Sequence, residues 1–322
     1  MLTCRKKISW IILTTLGLNI FIKGSHFVWK KILAPNLGLG IDLTKQGRWA
    51  VITGATDGIG KAFAIALASK GLDIVLISRS LIKLKYVETE IKERYGVKTR
   101  IVVADLTEGQ EVYSKIAKAT EELEVGVLIN NAGMNSDYPE LFVKVSEEIL
   151  NKILQLNMVS LTIITRIILP NMMKRRKGVI INVSSILGMN FVCPYLTTYA
   201  ATKAYIIKFT SNLAVELAQS GITVQCIAPG PVATKMIKIK KSTWMIPTAD
   251  KFVEATLKTV GIESLTTGYL PHYLLYKYFE TLTWIYRKGT IRLITKIFLK
   301  HKKHFLRKMI KEQEQEQEKD MK

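Results

Sequence analysis

Cysteine, histidine and acidic side chains are all scarce in this chain, and each shortage removes a class of function. Only Cys4, Cys193 and Cys226 occur in 322 residues, too few and too scattered for a disulfide framework or a metal-ligand spacing. Free thiols, a reducing compartment and no metal centre are expected. The four histidines, His26, His272, His301 and His304, form no HExxH pair, and the last two sit in a basic run that suits an interfacial polar role. Acidic residues number 26 against 47 lysines and arginines, a net charge of +21. No aromatic-basic nucleic-acid module accompanies that charge, and much of the excess lies at the two ends, in Arg5, Lys6 and Lys7 and from Arg287 to Lys311. That distribution suits a membrane surface better than a nucleic-acid groove.

A long uninterrupted apolar run is also missing. The stretch from Ile8 to Ile22 is short of the roughly 20 residues of a bilayer span, and extending it to Val28 takes in Lys23 and His26. Basic residues precede it and no small-x-small cleavage pattern follows, so an uncleaved anchor is expected over a signal peptide. Positive charge on both flanks leaves its orientation open. The sequon at Asn182, Val183 and Ser184 falls in an expected buried strand and does not argue for secretion.

What the chain does have is alternation. Apolar β-branched runs at 49–53, 73–78, 99–104, 126–130, 178–184 and 222–228 alternate with helical patterns near 58–70, 81–95, 108–121, 146–175, 197–219 and 249–260. Such alternation makes βαβ units and a parallel sheet, and strands this apolar are covered on both faces. The expected fold class is α/β, a doubly wound Rossmann-type parallel sheet of about seven strands with helices on both faces, plus an N-terminal membrane anchor and a C-terminal helical extension. The expected division is 1–47 anchor and linker, 48–268 catalytic domain, 269–311 extension and 312–322 disordered tail. In the extension, Ile291, Ile294, Phe298, Phe305 and Met309 share one helical face and Lys296, Lys300, Lys303 and Arg307 another, the pattern of a helix lying in the headgroup plane or of a charged helix on the domain surface.

TGATDGIG (Thr53 to Gly60) follows the first strand and opens a helix. Gly54 can make the tight turn, Gly58 can admit a pyrophosphate to the backbone and Gly60 can let helix and strand pack closely, while the helix start offers free N–H groups to phosphate. The candidate dinucleotide site takes in Thr56, Asp57 and Ile59 of the same turn. About 20 residues on, an acidic residue would favour NAD and a cation the 2′-phosphate of NADP. Here the second strand ends in Ser78 and Arg79, and Lys61 adds charge, so NADP(H) is expected. Asp105 can accept from the adenine amino group or cap a turn through Thr107.

Tyr199 and Lys203 stand in YAATK at i and i+4, on one helix face. There the cation can lower the phenol's pKa toward working pH, and the phenol can exchange a proton with a carbonyl oxygen or an alcohol.

With NNAG at 130–133, Ser185 after the fifth strand and PGPVAT at 229–234, the chain resembles the short-chain dehydrogenase/reductase family over roughly residues 48–260. TDGIGKAFA, VLISRS, NNAGMNSDYPELF, VATKM and TVGIESLTTGYL resemble its membrane-bound branch of very-long-chain 3-oxoacyl-CoA reductases and 17β-hydroxysteroid dehydrogenases. The resemblance implies Tyr199 as general acid, Lys203 on the nicotinamide ribose, Ser185 on the substrate carbonyl and Asn157 holding a relay water. It further implies that Asn131, Ala132, Pro229, Gly230, Val232 and Thr234 line the cofactor, with Val232 near the carboxamide and Thr234 near the phosphates. Ser185 precedes Tyr199 by 14 positions, about one more than in this branch, so the loop through Gly188, Asn190 and Pro194 must absorb a residue. Adjacent strand side chains point to opposite faces, which disfavours Ser184 in that role.

The expected activity is NADP(H)-dependent carbonyl reduction of a lipophilic substrate, a 3-oxoacyl-CoA or a ketosteroid, with Tyr138, Phe142 and Met189 as candidate lining. The expected setting is the endoplasmic reticulum membrane, catalytic domain toward the cytosol. Homo-oligomerisation is compatible with the sequence and a nucleic-acid partner is not expected. The alternative is a catalytically silent, membrane-associated scaffold that still binds the nucleotide.

Overall fold

Each β-branched run becomes a parallel strand in the computed structural model, which describes residues 14–15, 17–19, 21–236 and 241–320. β1 (Trp49–Thr53), β2 (Asp73–Ser78), β3 (Thr99–Val103), β4 (Val125–Asn130), β5 (Gly178–Val183), β6 (Ile222–Ile227) and a two-residue β7 (Leu265–Thr266) form one sheet in the order β3-β2-β1-β4-β5-β6-β7. The order reverses between β1 and β4, which opens a crevice at their carboxyl ends.

Alternation along the strands fills two cores. Ala50 and Ile52 of β1 and Val127 and Ile129 of β4 face one side, against Phe63 and Leu67 of α1 (Gly58–Ala68), Leu84 and Ile91 of α2 (Leu81–Tyr95) and Phe252. Val51 and Leu128 face the other, against Ile116 of α3 (Glu111–Thr120) and against Ile164, Ile168 and Met172. Those last three lie on α5 (Ser160–Arg175), which continues α4 (Glu147–Leu154) through a π turn at Gln155–Val159. α6 (Thr197–Glu216) covers the same face beyond it, and α7 (Ala249–Leu257) carries Phe252. Strand-period residues thus supply both layers, as a sheet covered on two faces requires.

The backbone caps agree with the side chains. Ser80 starts α2 by accepting from Lys83 N, and Gly96 ends it at φ +65. Asn182, wholly buried, accepts from Asn130 Nδ2 at 2.8 Å and donates to Thr210 Oγ1 at 3.0 Å, so the sequon asparagine is a strut between β4, β5 and α6. Cys193 and Cys226 are buried free thiols.

The expected apolar anchor of 8–22 falls mostly outside the described residues, although Leu18, Phe21 and Ile22 within it and Val28 and Trp29 beyond it are exposed. Among the described residues, the helix long and apolar enough to cross a membrane is 147–175, and it packs on the sheet. At the other end α8 (Leu270–Asp320) is one helical run with a kink at Tyr286 (φ −145°, ψ 77°). Its apolar stripe does not lie free: Ile294 is buried and Phe298 packs with it against Phe191 and Tyr276, Phe305 stands 5.2 Å from the Tyr138 ring, and Lys302 donates to both carboxylate oxygens of Glu140 at 2.6 Å. Most of that face is docked on the domain, the second of the two expected arrangements, because burying it there removes the same apolar area from water, while Met309 near its end stays exposed. Helix also continues through 312–320, where a disordered tail was expected; Glu, Gln and Lys are good helix formers.

Candidate active site

The glycine turn is rigid for reasons of space. Gly54 (φ +64) and Gly58 (φ +54) occupy left-handed backbone. A Cβ on Gly60 would lie 2.2 Å from Gly54 O and 2.4 Å from Asn131 Nδ2. Thr53 Oγ1 accepts from the N–H groups of Asn131 and Ala132, both at 3.0 Å, and Asn131 Nδ2 donates to Thr53 O at 3.0 Å. NNAG therefore clamps the turn at the switch point, and α1 opens there with first-turn N–H groups that have no intrahelical partner. On its far side a Cβ on Gly58 would meet Thr234 Cγ2 at 3.0 Å, which brings PGPVAT to the same turn. A backbone cradle kept clear of side chains at a helix N-terminus fits the pyrophosphate of a nicotinamide dinucleotide.

Thr56 and Ser78 share a hydrogen bond of 3.0 Å between hydroxyls, and exposed Arg79 follows. Lys61 does not join them. Its ammonium pairs with Glu90 at 2.8 Å and lies over the Tyr86 ring, because α1 turns that side chain toward α2. The 2′-phosphate role assigned to Lys61 is thereby corrected. Asp57 instead sits between Lys83 at 2.8 Å and Lys235 at 2.7 Å; partial burial would raise its pKa, but the two cations hold the carboxyl below the usual range. Asp105 Oδ1 accepts from Thr107 N at 3.0 Å and Thr107 Oγ1 at 2.7 Å, so the capping alternative is realised, with Arg79 acting on the same carboxylate through space.

α6 brings Tyr199 and Lys203 to the carboxyl end of β5. Lys203 is buried and donates to Val183 O at 3.0 Å, with its ammonium 5.6 Å from the Tyr199 ring centre. Asn157 lies on the π turn, a one-residue bulge of a kind often found at functional sites. Its Oδ1 accepts from Met134 N at 2.8 Å, and its Nδ2 donates to Met134 O at 2.9 Å and Thr202 Oγ1 at 3.0 Å. A Cβ on Gly133 would meet Lys203 Nζ at 3.2 Å and Asn157 Oδ1 at 3.3 Å, so both side chains converge beside NNAG.

Ser184 and Ser185 separate as strand alternation demands. Ser184 Oγ donates to Lys203 O at 2.7 Å and ties α6 down, while Ser185 Oγ accepts from Leu187 N at 3.2 Å and lies near enough to the Tyr199 phenol to lower its pKa. The long Ser–Tyr loop is accommodated by a 3₁₀ turn at Ile186–Gly188 and by Tyr195 at φ +66. Gly188 makes the fit possible, since a Cβ there would lie 2.5 Å from Lys203 C.

Burial acts on the two titrating groups in opposite directions. It pushes the Tyr199 phenol up to about 12, opposed by the Ser185 bond, and brings Lys203 down to about 8, because each charged form loses hydration. The influences on the phenol in this structure are burial, which raises its pKa, and the Ser185 hydroxyl, which lowers it.

Phe142, Glu140, Ser136 and Leu196 bound the space beside Tyr199, about 10 Å³, room for one water. Tyr138 packs on Phe305 and Met189 into the Ile186–Tyr276 cluster, so of the three expected lining residues only Phe142 borders this space. Sequence reasoning passed over Thr53, Thr202, Lys83 and Lys235. Lys83 alone left a signal: a cation in the first turn of α2 opposes the helix dipole and needs a partner such as Asp57.

The short chain dehydrogenase profile matches residues 48–244, the span that holds every one of these site residues. The chain belongs to the short-chain dehydrogenase family. This short-chain dehydrogenase is 43% identical over 291 residues to the very-long-chain 3-oxoacyl-CoA reductase of Anas platyrhynchos, covering 90% of this chain and 91% of that one. Among solved structures it is similar to a 7β-hydroxysteroid dehydrogenase (TM-score 0.70, 25% identity, 79% of this chain and 100% of the other). It is also similar to a short-chain dehydrogenase of Sphingobium yanoikuyae in complex with NADPH (TM-score 0.64, 27% identity, 76% and 95%).

Proposed function

We propose that this short-chain dehydrogenase is an NADP(H)-dependent oxidoreductase that reduces the ketone of a lipophilic substrate, a 3-oxoacyl-CoA in first place and a ketosteroid in second. The observation that carries it is the convergence of Tyr199, Ser185, Lys203 and Asn157 beside a glycine cradle closed by NNAG. The first substrate class is favoured by the long match to the duck reductase, which covers 91% of that protein. Bound NADPH supplies the hydride for the carbonyl carbon. Tyr199, protonated at neutral pH by its burial, gives its proton to the carbonyl oxygen, and Ser185 donates a hydrogen bond to the same oxygen. Preorganised donors at a developing negative charge lower the barrier without reorganising at the moment of reaction. Lys203 holds the nicotinamide ribose and keeps a positive charge near the phenol, and Asn157, fixed by Met134 and Thr202, holds the water that returns the proton. The setting is the endoplasmic reticulum membrane with this domain in the cytosol, supported by the exposed apolar residues at 18–33 and the exposed basic face of α8.

The charge on Lys203 sets the pH dependence. Lys203 has its pKa lowered to about 8, so it is charged below that value and neutral above it. The rate of NADPH oxidation is expected to hold between pH 6 and 7.5 and to fall as pH rises through about 8, while a Lys203→Arg variant that still turns over loses that limb. A flat profile to pH 10 in the native enzyme would count against the charged-lysine role.

Arg79 carries the preference for NADP(H). A charge-assisted bond contributes about 1.5–3 kcal/mol, so Arg79→Ala raises the KM for NADPH roughly 10- to 100-fold while leaving that for NADH little changed. Lys61→Ala leaves both unchanged, since that ammonium is engaged with Glu90. Substrate class is tested by kcat/KM of the membrane-reconstituted protein on long 3-oxoacyl-CoAs and on ketosteroids. Higher values on the steroids would put the ketosteroid first.

A further inference from the structure

His272 lies in the first turn of α8, fully buried, and takes no part in the chemistry above. Its ring sits 5.7 Å from Phe252 and 5.2 Å from Tyr269, centre to centre, and its Nε2 lies 3.0 Å from Pro231 O. A Cβ on Gly230 would meet His272 Cδ2 at 2.8 Å. Ring and loop are therefore in contact at two consecutive residues of PGPVAT.

That loop is poor in ways of holding its shape. Pro229 and Pro231 have no N–H to donate, so their positions are fixed through carbonyls. Pro229 O accepts from Ile186 N at 3.0 Å, and Ala233 N donates to Pro247 O at 2.9 Å. Between these two backbone tethers stands Pro231 O, whose donor is a side chain. Burial lowers the His272 pKa to about 4, so the imidazole is neutral at working pH and has one N–H. Pro231 O, 3.0 Å from Nε2, takes it, while Nδ1 makes no close hydrogen bond although the Met245 backbone lies near the ring.

We propose that His272 is a positioning residue that fixes the Pro229–Thr234 loop in the conformation that receives the nicotinamide end of the cofactor. This rests on that loop being part of the cofactor site. It also gives α8 a function at the nucleotide: its first turn supports the loop between β6 and α7.

The test uses the full-length protein in detergent or vesicles, with NADPH binding followed by fluorescence and KM measured separately for NADPH and ketone. His272→Phe keeps an aromatic ring in the slot and removes the donor; His272→Gln places an amide Nε2 where the imidazole Nε2 stood. His272→Phe is expected to raise the Kd and KM for NADPH about tenfold, the effect of one hydrogen bond, with the ketone KM unchanged, and His272→Gln to recover most of the affinity. Should the Phe variant not fold, His272→Asn against His272→Gln makes the same comparison, because the shorter amide does not reach Pro231 O. Native NADPH affinity in His272→Phe, or equal losses in the Gln variant and in whichever of Phe and Asn folds, overturns the positioning role alone. Native protein that binds no NADPH overturns the cofactor assignment with it.

Discussion

Tyr199→Phe is expected to lower NADPH-dependent reduction by about 10²- to 10⁴-fold, the usual contribution of a positioned general acid, while NADPH still binds. The substitution removes one oxygen and keeps the ring, so the contact with Lys203, 5.6 Å from the ring centre, and the packing of α6 persist. Lost with that oxygen is the proton source at the carbonyl. Because burial keeps the phenol protonated at neutral pH, the native enzyme holds the proton that reduction needs. Binding and turnover must be measured on the same preparation: unchanged turnover in Tyr199→Phe removes the assigned acid, whereas joint loss of binding and turnover indicates damage to the fold.

Gly60→Ala is the second large effect, and it reaches the site through the backbone. The added methyl would lie 2.2 Å from Gly54 O, 2.4 Å from Asn131 Nδ2 and 2.9 Å from Gly54 C. Two of these atoms are backbone of the turn itself and cannot rotate away. Either the turn opens or α1 shifts from β1, and in both cases the bond from Asn131 Nδ2 to Thr53 O is strained. Overpacking of this kind costs about 1–3 kcal/mol and occasionally more, so the melting temperature should drop by several degrees and NADPH affinity should fall by at least about tenfold. A control elsewhere in the domain, Gly109→Ala, has open space at its Cβ and should leave both unchanged. Native NADPH affinity in Gly60→Ala would mean that this turn is not the phosphate cradle.

How far the sequence foretold this molecule depended on whether a property was local. β1, β2 and α2 have the residue bounds expected of them, because β-branched runs, a serine cap and a following glycine specify those ends within a few residues. β7 had no such signature: two residues, Leu265 and Thr266, pair only because β6 presents a free edge. The π turn that positions Asn157 is invisible inside an apolar helical pattern, since one extra residue per turn leaves composition unchanged. Lys61 and Tyr199 show the same limit in the site. Which carboxylate a lysine meets, and how much water a phenol keeps, are decided by elements distant in sequence. For α8 the periodicity of the apolar stripe was legible but its partner was not; lipid and protein core reward the same pattern.

The alternative of a silent scaffold differs from a reductase at one point, the transfer of hydride to a substrate carbon. Reduced nicotinamide cofactor carrying deuterium at the transferable C4 position, supplied to the membrane-reconstituted protein with a long-chain 3-oxoacyl-CoA, tests that point most directly. One deuterium on the carbinol carbon of the 3-hydroxy product, formed in step with NADPH oxidation, is the predicted result. Bound cofactor with no labelled alcohol from either the acyl-CoA or a ketosteroid would contradict the assignment of this chain as a reductase.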